Sequence, residues 1–518
     1  MNPAEVSEAK NRPVYLNIVA NACAFQVDSL EQVAFQVLRL VRSIQNSFTP
    51  VSRIPPEVLS LIPDFYGYRA DRDSIVLTHV CRSWRNTFIP RSSLWTWLDF
   101  TNIDKTRTYI QRSQSSPLEV YIGDNAIDDA SALIIPHIHR LKSLTISTEV
   151  LPRVFEHFRG HTPLLEKMDI DIYSNVNPVP DNTFLDGNLS SLRELRLCKD
   201  ITYFSWKDLA NLRVVNLQNP YPQFTVTRLL DFFESAPLLH TVELYNPTER
   251  STDAHPERIV PLRHLKALTI EDPPHSIVLH HLHIPVGASL VLKYDYSTGP
   301  EPPLVYYQKS SNPNYLSHIT AINLLFDYTR LSMQLSGPSG SLRVLLSWPR
   351  FSEVPYRGQY LLFSCYDPII STIERLAVRG YNPSRPPLSK SGPIFRILSS
   401  ANHLRTLILT DCDHTPFISA LDPAQNPSNL VPCPHLEEFV LSAEYLSLSG
   451  VEHLIEMAKN RALRAAKLSS ITFVNLRGRE QRDEAAKLRD HVIHVEYRTQ
   501  GAGPAWDYVP GESGGEGV

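Results

Sequence analysis

The residues in this chain most suited to chemistry are its cysteines and the histidines near them. Cys81 lies in LTHVCRSWRNTF (Leu77 to Phe88), close to His79, Arg82 and Arg85. A nucleophilic thiol needs a base within reach and a partly exposed, electropositive setting. Residues two apart on a helix point to different faces, so His79 does not meet Cys81. Cys81 instead shares an apolar stripe with Leu77, Val80, Trp84 and Phe88. Cys412-Asp-His414 and Cys433-Pro-His435 repeat a Cys-x-His pair. Paired ligands of structural zinc sites are spaced by about two to four residues rather than one. His275, His280, His281 and His283 fall close together. HHLHIP alternates as a strand does, which puts His281 and His283 on one surface face. His435-Leu-Glu437 copies the H-x-E of zinc deaminases, but no PCxxC follows it. GPSGS at Gly337 does not fit the nucleophile elbow, and no phosphate-binding loop or HExxH occurs. These residues point to a protein that is not an enzyme, with no cofactor and no metal.

Composition bounds the rest. The chain has 518 residues, 42% hydrophobic and 20% charged, enough for two or more domains or a repeat array with a sizeable core. Lys and Arg total 50 against 54 Asp and Glu, a net charge of -4 with no basic domain. That argues against nucleic-acid binding, and Arg82 with Arg85 supply too few cations for a recognition helix. Six cysteines lie far apart without a CxxC, which suits reduced thiols inside a cell. No apolar run approaches the roughly 18 residues of a membrane span. The apolar stretch at Pro13 to Phe25 is broken by Asn17 and Asn21, unlike a signal peptide. The expectation is an intracellular protein, in the cytoplasm, the nucleus or both, with no membrane partner.

Several elements must position these residues. Residues 1–24 carry no committed pattern and are expected to be poorly ordered. Residues 25–49 hold an amphipathic helix whose stripe runs through Leu30, Val33, Ala34, Val37, Leu40, Val41 and Ile44, suited to packing on the next module. In residues 50–100, Pro55, Pro56 and Glu57 form a helix start. That helix is expected to stop at about Ile62, because Pro63 disfavours continuation. A second helix is expected from about Ser74 through Phe88.

From residue 101 to 500 a different rhythm holds. L-x-x-L-x-L phrases anchor at Leu141, Leu165, Leu192, Leu212, Leu239, Leu265, Ile319, Ile373, Leu404, Leu436 and Leu468. Successive anchors differ by 24, 27, 20, 27, 26, 54, 54, 31, 32 and 32 residues. Each 54 reads as two periods of 27, with SLVLKY at Leu290 a missing unit in the first. Helical patterns lie between phrases, at Leu151 to Phe158, Val226 to Phe233 and Val451 to Ala458. A strand and a helix recurring at this period is leucine-rich-repeat logic. The Asn or Cys that such repeats place eight residues after the anchor occurs only as Cys412, so the solenoid is expected to be irregular. Long loops are expected at Asn246 to Val260, Ser297 to Asn314 and Tyr381 to Pro393, and a disordered Gly-rich tail over 501–518. The expected fold class is α/β: a small helical module, then an irregular leucine-rich-repeat solenoid.

The segment from Ile54 to Phe100 resembles an F-box, the adaptor-docking module of SCF-type ubiquitin ligases. It is similar to F-box proteins of fungi that carry degenerate leucine-rich repeats. The matching pieces are IPPEVL, VCRSWR, and SLW ahead of Asp99-Phe100. The resemblance implies that Pro55, Val58, Leu59 and Ile62 face a Skp-type adaptor. It implies that Val80, Cys81 and Trp84 continue or buttress that face, and that Leu94 and Trp95 close the module. It further implies a substrate receptor whose repeats hold a target protein for ubiquitination. Target contacts would fall between the apolar strand positions, at residues such as Lys142, Glu166, Lys167, Arg193, Glu194, Arg196 and Arg213. Pro63 departs from the family pattern, where an aromatic usually follows Ile. The alternative is therefore a leucine-rich-repeat scaffold with an F-box remnant that does not dock. The target itself is not legible in the sequence.

Overall fold

The computed structural model describes residues 3–65, 70–123, 127–148, 158, 160–172, 189–198, 209–218, 226–245, 258–271, 279, 281–285, 287–295, 319–326, 330–338, 340–347, 370–380, 393–426, 430–442 and 446–498. The long loops expected after Asn246, Ser297 and Tyr381, the tail, and most of the helical pattern at Leu151 to Phe158 lie outside these residues. The chain divides into two compact units, Met1–Ser143 and Leu144–Val518. No helix among the described residues is long and apolar enough to cross a membrane.

The first unit opens with helix α1 (Pro3–Ser47), which takes in both the N-terminal segment and the expected amphipathic helix. The stripe of α1 does not pack on the module. Leu30, Val33, Val37 and Leu40 are 70%, 55%, 55% and 61% exposed, and the described residues offer no account of it. Helices α2 (Pro56–Phe65), α3 (Ala70–His79) and α4 (Arg82–Phe88) follow. Then come β1 (Trp97–Asp99), α5 (Ile103–Ser113), β2 (Leu118–Ile122) and α6 (Ile127–Ile134). Strands β1 and β2 pair in parallel, with Leu98 opposite Val120.

Two expectations for this module are corrected. Helix α2 runs through Pro63 to Phe65. Proline removes one backbone bond, the one its nitrogen would make to the Leu59 carbonyl, and its ring is buried in return. The expected second helix is instead two, α3 and α4, broken at Val80 and Cys81. Cys81 is fully extended, with φ -158° and ψ 177°, and its carbonyl accepts the Arg85 amide at 3.0 Å. The Arg85 side chain then donates from Nε to the Thr78 carbonyl at 2.9 Å, satisfying a carbonyl that the end of α3 leaves open. The break lets Leu59 on α2 and Phe88 on α4 both be buried.

The strand β3 (Leu141–Thr148) spans the boundary between the units in sequence. In the second unit the strands are β4 (Lys167–Ile172), β5 (Glu194–Cys198), β6 (Val214–Gln218), β7 (Thr241–Tyr245), β8 (Val260–Pro261) and β9 (Ala267–Glu271). The next are β10 (Leu282–His283), β11 (Ser289–Asp295), β12 (Ala321–Phe326), β13 (Arg330–Gly337) and β14 (Gly340–Ser347). The last are β15 (Arg375–Arg379), β16 (Thr406–Thr410), β17 (Glu438–Ser442), β18 (Ser470–Val474) and β19 (His494–Arg498). Helices α7 (Val226–Ser235), α8 (Pro393–Ser400), α9 (Thr415–Leu421), α10 (Leu448–Leu463) and α11 (Arg479–Ala485) lie between strands.

One ladder takes in all of these strands except β8 and β10, which pair with each other. β4, β5, β6, β7, β9 and β11 pair in parallel in chain order, and so do β15 through β19. The register keeps one apolar row through Met168, Leu195, Val215, Val242, Leu268 and Leu290. All eleven phrase anchors are buried, because each caps the same inner side as its strand.

The two 54-residue gaps turn out differently from each other. β11 is the missing unit in the first, but Leu290 aligns with Leu268, the position three residues past the anchor Leu265. The described residues of the second gap show no further unit of the same kind. β12 pairs directly with β15, while β13 and β14 double back antiparallel between β12 and β11. The hairpin pairing ends with Gly337 opposite Gly340.

Candidate interaction surfaces

The helical module sorts its apolar residues into two sets. Leu59, Phe88, Leu94 and Trp95 are buried and form its core. Trp95 donates Nε1 to the Ile89 carbonyl at 3.1 Å and meets Tyr109 edge-on at 5.0 Å. The Arg112 guanidinium covers the indole of Trp95 at 4.6 Å. Leu59, named for the adaptor face, is therefore an inward residue at 2% exposure.

The second set faces outward. Val58, Leu61, Val76 and Val80 are 53%, 48%, 59% and 50% exposed, and Pro55 is exposed beside them in sequence. Ile62, Cys81 and Trp84 are half-buried. Trp84 meets Phe88 edge-on at 5.5 Å, and its indole Nε1 is buried with no hydrogen-bond partner among the described residues. Of the residues named for docking, Pro55, Val58 and Val80 are thus open to a partner. Leu61 and Val76 are exposed as well, at positions that the resemblance does not single out.

In the second unit one strand face is core and the other carries polar residues. Lys167, Asp169, Glu194, Arg196, Asn216, Glu243, Tyr245, Glu271 and Lys293 alternate with the buried row. They pair across strands: Lys167 with Glu194 at 3.3 Å, Arg196 with Asp169 at 3.9 Å, and Lys293 with Glu271 at 3.4 Å. Asn216 donates Nδ2 to Glu243 Oε2 at 2.5 Å, while its Oδ1 is buried without a partner among the described residues. Burial pushes the Asp169 carboxyl above its ordinary range despite the Arg196 and Lys167 charges beside it. Burial, with Glu243 and Glu271 nearby, likewise raises the Tyr245 phenol. On β15 to β17 the central row of the same face is apolar and buried, with Ala377, Ile408 and Val440 packed together. The polar face runs on through Arg343, Gln334 and Asn323 on β14, β13 and β12 before this buried row begins. Lys167, Glu194 and Arg196 lie on the polar face as expected; Arg193 and Arg213 stand just ahead of their strands instead.

Cys412 and Cys433 are buried. Burial pushes both Cys412 and Cys433 up to about 12, away from the thiolate that metal binding or attack requires. Cys433 donates to the Leu398 carbonyl at 3.0 Å, and its own carbonyl accepts Arg461 Nη2 at 2.8 Å. His281 contacts the Arg258 carbonyl through Nδ1 at 3.1 Å, and His283 is exposed on β10. No group of three or more potential metal ligands occurs among the described residues.

No family model matches the chain, and no curated protein matches it.

Proposed function

We propose that this chain is a substrate receptor of an SCF-type ubiquitin ligase, acting inside the cell. The helical module docks a Skp-type adaptor, and the second unit is an irregular leucine-rich-repeat solenoid that holds a target protein. The observation that carries the docking half is the exposure of Pro55, Val58 and Leu61 at α2 and of Val76 and Val80 at the end of α3, in a module whose core of Leu59, Phe88 and Trp95 is closed. Exposed apolar side chains of this kind support a reading as a contact surface. Because α2 continues through Pro63, the ground for a non-docking remnant weakens. Buried anchors and in-register parallel strands support the repeat reading, interrupted once by the antiparallel β13 and β14. Such a protein makes no bonds itself; it raises the local concentration of target beside the transfer machinery.

The test is capture of the adaptor by the full chain beside Val58→Asp and Val80→Asp variants. Both side chains are exposed, so each change should alter stability by no more than about 0.5 kcal/mol. A new charge in a desolvated contact should weaken capture at least tenfold, about 1.4 kcal/mol. Capture by both variants at native strength would sink the proposal.

A further inference from the structure

The residue just ahead of β5, β6, β7 and β9 is Arg193, Arg213, His240 and Lys266 respectively. Backbone hydrogen bonds set the four in one line. The amide of Arg213 donates to the Arg193 carbonyl at 2.9 Å, that of His240 to Arg213 at 2.8 Å, and that of Lys266 to His240 at 2.7 Å. Neighbours in the line therefore stand one strand spacing apart, about 4.8 Å. Arg193, Arg213 and Lys266 are exposed and make no ion pair with a described residue. His264 adds a ring 6.4 Å from that of His240. Glu166 heads the line ahead of β4, and no ion pair joins it to Arg193 among the described residues.

The same position later in the ladder is arranged differently. Ahead of β15, β16 and β17 stand Glu374, Arg405 and Glu437, joined by equivalent backbone bonds of 2.8 Å. There the signs alternate, and Arg405 pairs with Glu437 at 3.6 Å. Like charges on adjacent strands destabilise a sheet, and alternation removes that cost. The early strands keep four basic residues in a row where the later ones neutralise themselves.

We propose that this line of Arg193, Arg213, His240 and Lys266 binds an extended acidic segment of a partner protein, laid across the strands. The proposal rests on reading the second unit as the target-holding surface, and it names the chemistry of the target. A segment with carboxylates on successive residues can meet the charges of Arg193, Arg213 and Lys266 at once, and Arg offers each carboxylate a two-pronged contact. A nucleic-acid strand fits less well. The line contains no Phe, Tyr or Trp for bases to stack on, and the chain has a net charge of -4.

Fluorescein-labelled deca-glutamate, deca-lysine and a ten-residue oligothymidine are titrated against the full-length protein by anisotropy, at low and raised salt. Deca-glutamate should bind, and more weakly as salt rises. The double variant Arg213→Glu/Lys266→Glu should lose at least tenfold. Arg405→Glu/Arg479→Glu, with the same change in net charge, should stay within twofold. Melting curves establish that each variant is folded. Equal losses in the two double variants, no loss in the first, no binding by the native chain, or tighter binding of oligothymidine would each overturn the proposal. Adaptor capture does not enter this assay. Failure here with capture intact therefore sinks the acidic-segment proposal alone, and loss of capture leaves the peptide result standing.

Discussion

Asp99 shows how a single side chain ties strand β1, at the end of the helical module, to helix α5. Its carboxylate accepts from Thr101 Oγ1 at 2.7 Å and pairs with Lys105 Nζ at 2.9 Å. Thr106 Oγ1 donates to the Asp99 carbonyl, which joins β1 to α5 a second time. Burial raises the carboxyl, but the Thr101 and Lys105 bonds and the ammonium charge outweigh it and hold the group below its ordinary 3.8. A carboxyl lowered on folding stabilises the native state fully above its ordinary value. That stabilisation is lost as pH falls through the lowered one. Asp99→Asn should cost about 2 kcal/mol at neutral pH, the range for hydrogen bonds to charge. The gap from the native protein should close in acid, read by chemical denaturation over a pH series; a gap independent of pH would refute the assignment. Arg461 is a residue of the opposite kind, fully buried without a carboxylate partner among the described residues. It donates to the Pro432 carbonyl at 2.6 Å as well as to Cys433, and no motif announced it.

At the scale of elements, the helices of the module differ from what local signals suggest. A proline in a helix interior costs about 3 kcal/mol against alanine. Burial of the Pro63 ring returns roughly 1–2 kcal/mol, since a fully buried aliphatic side chain contributes about that much. Pro63→Ala should therefore stabilise the protein by about 1 kcal/mol and leave adaptor capture unchanged. A lower melting temperature would show that ring packing outweighs the restored backbone bond. The break between α3 and α4 has the opposite character. No Gly or Pro marks it; Cys81 becomes extended because Arg85 and Thr78 can then close the open end of α3. LTHVCRSWRNTF is thus two helix ends and a corner. Cys81 sits at the corner, Trp84 is half-buried against Phe88, and Arg85 serves the backbone rather than a partner.

At the scale of the whole molecule, the second unit depends on contacts between neighbours in its ladder. Leu217 is fully buried, with Leu197 and Leu244 level with it on the adjacent strands. Leu217→Ala should cost about 3 kcal/mol, within the range for a buried Leu. Denaturant melts of the full chain would measure it, and a loss under 1 kcal/mol (about a third of the expected value) would mean the site collapses around the gap.

Much of this architecture is legible in the sequence because period-two apolar spacing forces one face of each strand inward wherever the strand pairs. The eleven anchors and the helix starts at Pro56 and Val226 follow from local spacing alone, while a closing role for Trp95 comes from the F-box resemblance. Which strands are neighbours does not. A gap of 54 residues between Ile319 and Ile373 is equally compatible with a missing unit and with a hairpin that doubles back. Only pairing β12 with β15 decides it. The line of basic residues has the same origin. Arg193, Arg213, His240 and Lys266 each follow an anchor, a pattern visible in the phrases LRELRL, LRVVNL, LHTVEL and LKALTI. It becomes a surface only when hydrogen bonds bring four distant residues to one strand spacing, because charge acts through distance in space and not along the chain.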